Sequence, residues 1–145
     1  AYWDRIMAIN LRGPFLCLRQ AANLMTRQGT GGRIVNISSI SSLCGFFDGL
    51  GAYSATKSAL NSLARTGARE LSDSRITVNA VLPGPTMTPG MAEAVDPEAV
   101  KALLPPLGRF GSPEDVAGAV LFLVSELGAW ITGHTLVGDG GEIAK

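Results

Sequence analysis

The chain has 145 residues, 46% of them apolar, and equal numbers of basic and acidic side chains. That length supports one core and one domain. The even charge, with no basic stripe, argues against nucleic acid as a partner, and no run reaches the roughly 18 uncharged apolar residues of a membrane span. The first residues lack the regions of a signal peptide. Cys17 and Cys44 do not make a disulfide framework, so a reducing, cytoplasmic setting is expected. A helix-like pattern is already running at Ala1, which predicts either processing or a segment upstream.

Trp3, Ile6, Met7 and Ile9, then Phe15, Leu16, Leu18, Ala22 and Met25, recur at helical spacing, with Gly13-Pro14 interrupting the pattern. "GTGG" at 29–32 closes that helix, and "RIVNIS" at 33–38 predicts a buried strand. A Ser- and Gly-rich loop leads to a helix at 52–72. "RITVNAVL" at 75–82 predicts a second strand, stopped at Pro83-Gly84. Residues 83–112 hold six of the eight prolines, with a short helix expected at 97–104. "SPEDVAGAVLFLVSE" opens as a helix should, with Ser112 at the N-cap, Pro113 at the first position and acids behind it. "HTLVGDGG" at 134–141 predicts a last strand.

Helices alternate with strands across connections long enough for right-handed crossovers, so the expected class is α/β with a parallel sheet of about three strands. Ligands bind such sheets beyond the carboxyl ends of the strands. Those ends point to the loops at 38–52 and 83–112.

"GAYSATKS" at 51–58 lies just beyond the first of these loops. Tyr53 and Lys57, four apart, share a helical face with Cβ atoms roughly 5–6 Å apart. A free phenol titrates near ~10, too high for a neutral-pH base. An ammonium about 5.5 Å away, at an effective dielectric of about 20, contributes roughly 3 kcal/mol toward phenolate. Such a phenol suits general acid–base catalysis. The pair alone is a common accident of a solvated face; its place beside a strand's carboxyl end gives it weight. A serine there could donate to a substrate oxygen, and Ser38, Ser39, Ser41 and Ser42 all compete for that role.

Six segments together carry a resemblance: "NLRGPF" at 10–15, "GRIVNISS" at 32–39, "YSATK" at 53–57, "VNAVLPGPTMT" at 78–88, "GRFGSPEDVA" at 108–117 and "ITGHTLVGDGG" at 131–141. In order and spacing the chain resembles the short-chain dehydrogenase/reductases of classical type. The resemblance implies a Rossmann-like doubly wound sheet, of which this chain would be the carboxyl-terminal three-fifths, a single partial domain over 1–145. It implies catalysis by Asn10, Ser39, Tyr53 and Lys57. Tyr53 would exchange a proton with the substrate oxygen that Ser39 holds. Lys57 would acidify Tyr53 and bind the nicotinamide ribose, and Asn10 would hold a relay water. The gap from Ser39 to Tyr53 is one residue longer than in many members, which suggests an insertion in 46–51. Pro14 has no N–H, which leaves the Asn10 carbonyl without its helical donor and free for water.

The cofactor implied is NAD or NADP, held here by Tyr53, Lys57, Pro83, Gly84, Thr86 and Thr88. Gly84 would let the backbone approach a flat ring. Residues 83–112 resemble a substrate lid, and Ser39, Ser41, Cys44, Met87 and Met91 would contact a small alcohol or ketone; Val95, Leu103 and Leu104 could line the same pocket or serve the core. His134 reads as an exposed strand opener, Asn79 as structural, and no metal cluster is expected. No Gly-rich turn follows a strand to hold the dinucleotide pyrophosphate, so that half is expected upstream. The resemblance also implies a homodimer or homotetramer through the helices at 2–28 and 52–72.

The reading is thus an oxidoreductase acting on an alcohol or carbonyl with NAD(P)(H). Two alternatives stand beside it. One is a catalytically incompetent fragment or interaction subunit. The other is a relative with epimerase or dehydratase chemistry.

Overall fold

A computed structural model describes residues 1–45, 48–94 and 104–145. Three parallel strands form one sheet in the order β1-β2-β3: β1 at Gly32–Ile37, β2 at Ile76–Pro83 and β3 at Thr135–Gly138. Helix α1 covers Tyr2–Met7, α2 Gly13–Gln28, α3 Gly51–Glu70, α4 Pro89–Ala94 and α5 Pro113–Val124. Of the helix expected at 97–104, residues 97–103 lie outside the described residues, as does the lid residue Val95.

Gly13-Pro14 does not end the first helix. The chain widens into a π-turn at Ala8–Arg12, closed by a bond from the Gly13 N–H to the Ala8 carbonyl, and continues as α2. Pro14 has no N–H to give the preceding turn, and a local widening of the helix is one way such an interruption is accommodated. The π-turn therefore absorbs the break that the sequence predicts. Gly29, at a φ of 71°, then stops α2 in the left-handed conformation that glycine adopts freely.

Strand β2 is central and buried along nearly its whole length, as its Val- and Ile-rich run requires. Val78 pairs with Ile34 on one side, and Val81 with Leu136 on the other. Helix α3 lays Leu60, Ala64, Gly67 and Ala68 on this sheet, all buried. Its small residues permit a close approach: a Cβ on Gly67 would meet the Val78 side chain at 3.4 Å. The core gathers Ala22, Ile34, Ile40, Ala64, Ile76, Val78 and Leu82 between the sheet and helices α2 and α3.

Helix α5 begins as its sequence requires. The Ser112 hydroxyl accepts from the Asp115 N–H at 3.2 Å, and the Asp115 carboxylate accepts from the Ser112 N–H at 2.7 Å. This is a reciprocal capping box. Asn79 is a buried clamp: its amide donates to the Ile131 carbonyl at 2.8 Å and accepts from the His134 N–H at 3.0 Å. His134 itself is exposed. Among the described residues no helix is long and apolar enough to cross a membrane, and no metal-binding cluster occurs.

Candidate active site

The carboxyl ends of β1 and β2 open on one cavity of about 480 Å³. β1 delivers Ser38 and Ser39, the first turns of α3 deliver Tyr53 and Lys57, and the end of β2 delivers Pro83 to Thr86.

The serine loop is pinned to α3, which sorts its hydroxyls. Ser38 is buried, and its Oγ donates to the Lys57 carbonyl at 2.9 Å. Ser42 Oγ donates to the Ser39 carbonyl at 2.6 Å and accepts from the Asn61 amide at 2.7 Å. Neither has a hydroxyl to spare for the cavity. Ser39 caps the single turn at Ile40–Ser42, where its Oγ accepts from the Ser41 N–H at 3.2 Å. One lone pair is thus occupied, and the hydroxyl hydrogen stays available for donation. Ser41 lines the same cavity.

Lys57 Nζ lies 5.5 Å from the centre of the Tyr53 ring and donates to the Ile37 carbonyl at 2.8 Å. Partial burial pushes its pKa below that of a free lysine, because desolvation disfavours the charged form. The ammonium that sequence spacing places beside Tyr53 is therefore held from two sides, by a ring face and by a strand end.

Loop 83–88 is fixed by its neighbours. Thr86 makes a parallel bridge with Gly111: the Met87 N–H donates to the Gly111 carbonyl at 2.8 Å, and the Gly111 N–H to the Pro85 carbonyl at 3.0 Å. In such a bridge the N–H and C=O of Thr86 itself turn away from Gly111. Glycine at 84 is also required by its protein neighbours. A Cβ there would fall 2.6 Å from Asp139 Cα, so the backbone at 84 closely approaches the neighbouring strand's end.

Of the sequence-predicted residues, Ser39, Ser41, Tyr53, Lys57, Pro83, Gly84, Thr86 and Met91 meet in this cavity, whereas Asn10, Cys44, Met87 and Thr88 do not line it. Asn10 shares a second cavity, of about 370 Å³, with Lys57, Pro14 and Cys17. Cys44 Sγ approaches the Ile40 carbonyl at 3.5 Å. Thr88 Oγ1 accepts from the Met91 N–H at 3.2 Å, which holds the start of α4. The sequence reading misses Ile40, Leu50 and Phe110, which form apolar wall. Phe110 reaches the cavity only through the Thr86–Gly111 bridge, a long-range pairing with no local signal.

A family model described as Enoyl-(Acyl carrier protein) reductase matches residues 1–142. A short-chain type dehydrogenase/reductase of Picea abies is 42% identical over 145 residues, with 97% of this chain and 52% of the relative covered. A 3alpha-hydroxysteroid dehydrogenase of Mediterraneibacter gnavus is 44% identical over 140 residues, covering 95% and 55%. Among solved structures, a short-chain type dehydrogenase/reductase from Mycobacterium ulcerans superposes with a TM-score of 0.88 at 35% identity, covering 99% of this chain and 52% of that one. A putative oxidoreductase from Escherichia coli gives 0.85 at 39% identity, covering 99% and 55%. The chain spans about half the length of the curated relatives it matches.

Proposed function

The chain belongs to the short-chain dehydrogenase/reductase family, and on that premise we propose that the protein moves a hydride between NAD(P)(H) and a small alcohol or ketone. One observation carries the reading: Ser39, Tyr53 and Lys57 line a single cavity beyond the carboxyl ends of parallel strands, beside Pro83, Gly84 and Thr86.

The residues present fit the nicotinamide end of the cofactor. After its bond to Ile37, Lys57 Nζ keeps two donors for ribose hydroxyls. The outward N–H and C=O of Thr86 match the donor and acceptor of a carboxamide. Among the described residues no Gly-rich turn leads from a strand into a helix, so the pyrophosphate end is assigned to none of them. When bound, the nicotinamide would supply or take the hydride. Tyr53 passes the proton to or from the substrate oxygen, and Ser39 donates its free hydrogen to that oxygen. Lys57 sets a positive charge beside the ring. Asn10 holds a water that connects Lys57 to solvent; the cavity the two residues share supports this. Residues 83–112 act as the substrate-facing segment of the domain, supported by Met91 and Phe110 on the cavity wall.

Self-association through α1, α2 and α3 is part of the proposal, supported by exposed Trp3, Phe15 and Leu24. A reducing, cytoplasmic setting is also part of the proposal, supported by a sequence whose two cysteines are too few for a disulfide framework. The deciding experiment follows oxidation of NADH and NADPH by the full-length protein against a panel of ketones. Turnover with at least one pair is expected. Silence across the panel, from protein that is folded and binds the cofactor, would sink the reading.

A further inference from the structure

Asn61 is a buried amide on the face of α3 that carries the phenol and the ammonium. Tyr53, Lys57 and Asn61 follow one another at intervals of one helical turn, which sets them in one row. Only 4% of Asn61 is exposed, and Leu60 and Ala64 beside it are buried too. Its Oδ1 is buried and accepts from no group among the described residues. Its Nδ2 donates to Ser42 Oγ at 2.7 Å. The amide is thus held by its donor side alone, at a position where a leucine of similar volume would carry no polar atom to desolvate.

The direction of that bond is fixed by the next one. Ser42 Oγ has one hydrogen and lies 2.6 Å from the Ser39 carbonyl, which can only accept. The hydrogen therefore goes to Ser39, and what Asn61 must supply to Ser42 is an N–H. Ser58, on the same helix, donates from Oγ to the Ser42 carbonyl at 3.0 Å. Helix α3 thus grips Ser42 at hydroxyl and carbonyl together. Ser42 in turn holds the Ser39 carbonyl, while the Ser41 N–H holds Ser39 Oγ at 3.2 Å. Ser39 is fixed at backbone and side chain, and Asn61 stands at the far end of that series of bonds.

We infer that Asn61 is a positioning residue for Ser39: by donating to Ser42 it forces the Ser42 hydrogen onto the Ser39 carbonyl, and so sets the serine against the helix that carries Tyr53. The inference rests on the roles proposed above for Ser39 and Tyr53. The two groups that meet the substrate oxygen are then registered to one rigid element. Without the amide, the Ser42 hydroxyl turns freely and that register loosens, and donors in an active site act only when they are pre-set.

The test measures kcat, and the KM for NADH or NADPH, in the full-length protein with the ketone it reduces fastest. Four proteins are compared: unsubstituted, Asn61→Leu, Ser39→Ala and the two substitutions together. Asn61→Leu should lower kcat about tenfold, the scale of one neutral hydrogen bond, and leave the cofactor KM within about twofold. In the Ser39→Ala background the same substitution should change kcat by less than about twofold, because the hydroxyl it positions is gone. Asn61→Ala repeats both comparisons should the leucine prevent folding, and failure of both variants to fold makes Asn61 a structural residue and overturns the inference. An equal fall in kcat in the two backgrounds, or a cofactor KM that rises with it, means that α3 as a whole has loosened and taken Lys57 along, which overturns it as well. So does an Asn61→Leu protein whose kcat stays within about twofold of the unsubstituted one. A Ser39→Ala protein at full rate overturns it and removes Ser39 from the reaction, leaving Tyr53 in place. Turnover of no ketone by the unsubstituted protein overturns both the inference and the reading beneath it.

Discussion

Lys57 Nζ donates to the carbonyl of Ile37 at 2.8 Å, which fastens the ammonium of helix α3 to the end of strand β1. The strand that delivers the serine loop and the helix that delivers the phenol are thereby joined through the side chain that stands between them. The distance of 5.5 Å from Nζ to the Tyr53 ring centre is a consequence of that fastening as well as of helical spacing.

Burial lowers the Lys57 pKa below the 10.5 of a free lysine. Between the lowered value and 10.5 the unfolded chain still holds a proton that the folded chain has released. Stability therefore rises with pH across that window and is insensitive to this group below it. Denaturant midpoints at several alkaline pH values should show that slope, and Lys57→Met should flatten it. An equal slope in both proteins would remove Lys57 as its source.

Tyr53→Phe deletes one hydroxyl and leaves the ring in place. Loss of a general acid–base group typically costs about 10²–10⁴-fold in rate. The full-length variant should lose kcat on that scale with KM nearly unchanged and an unaltered far-ultraviolet circular dichroism spectrum. A variant that keeps a tenth or more of the rate would contradict the assigned role.

Gly84→Ala drives a methyl into Asp139 Cα and Cβ, both 2.6 Å away. The two strand ends must part, at a cost of about 1–3 kcal/mol, and the Pro83–Thr86 wall of the cavity moves with them. Gly90, in α4, meets nothing within 4 Å among the described residues. Gly90→Ala should be neutral or stabilising by about 0.5–1 kcal/mol. Equal thermal shifts for the two variants would refute the account of Gly84.

Asp115 receives Arg109 Nη1 at 2.6 Å and Nη2 at 3.0 Å, besides the Ser112 N–H. The guanidinium first, and the backbone N–H after it, hold its pKa well below the 3.8 of a free aspartate. Such a carboxylate contributes stability that is complete above about 3.8 and is lost as pH falls through the lowered value. Asp115→Asn should make acid unfolding less steep, as read from midpoints between neutral pH and strong acid. Ser112→Ala, which removes the cap, should cost about 1 kcal/mol at neutral pH.

Asn79→Leu keeps the volume but strands the Ile131 carbonyl and the His134 N–H. Each unpaired buried group costs about 1–3 kcal/mol. His134→Ala, on an exposed side chain, should change stability by no more than about 0.5 kcal/mol. Chemical denaturation separates the two, and a large effect at His134 would show that the clamp has been misread.

Much of this molecule was legible locally. β1 and β2 begin and end within one residue of the expected bounds because Gly and Pro punctuate their Val/Ile runs. The N-terminus of α5 is written in Ser112, Pro113 and Asp115. Tyr53 and Lys57 share a face because helical spacing alone dictates it. What escaped is tertiary. The four candidate serines differ only in what α3 leaves unpaired, and Asn61 and the Lys57 carbonyl make that choice from about twenty residues away. The Thr86–Gly111 bridge, and with it Phe110, joins segments separated by the part of the chain richest in proline. The partner of Gly84 is a strand end with no sequence mark linking the two.

Helix α3 works as a lever. Its fulcrum is Gly67 against Val78, at van der Waals distance from any added Cβ, and its working tip is the turn with Tyr53 and Lys57. Ten residues of helix, about 15 Å, separate Gly67 from Lys57. Bulk inserted at the fulcrum would tilt the far tip and swing the phenol relative to the serine turn. Mutational scans of this protein should therefore find rate-changing substitutions at Ala64, Gly67 and Ala68, deep under the sheet, where no substrate reaches.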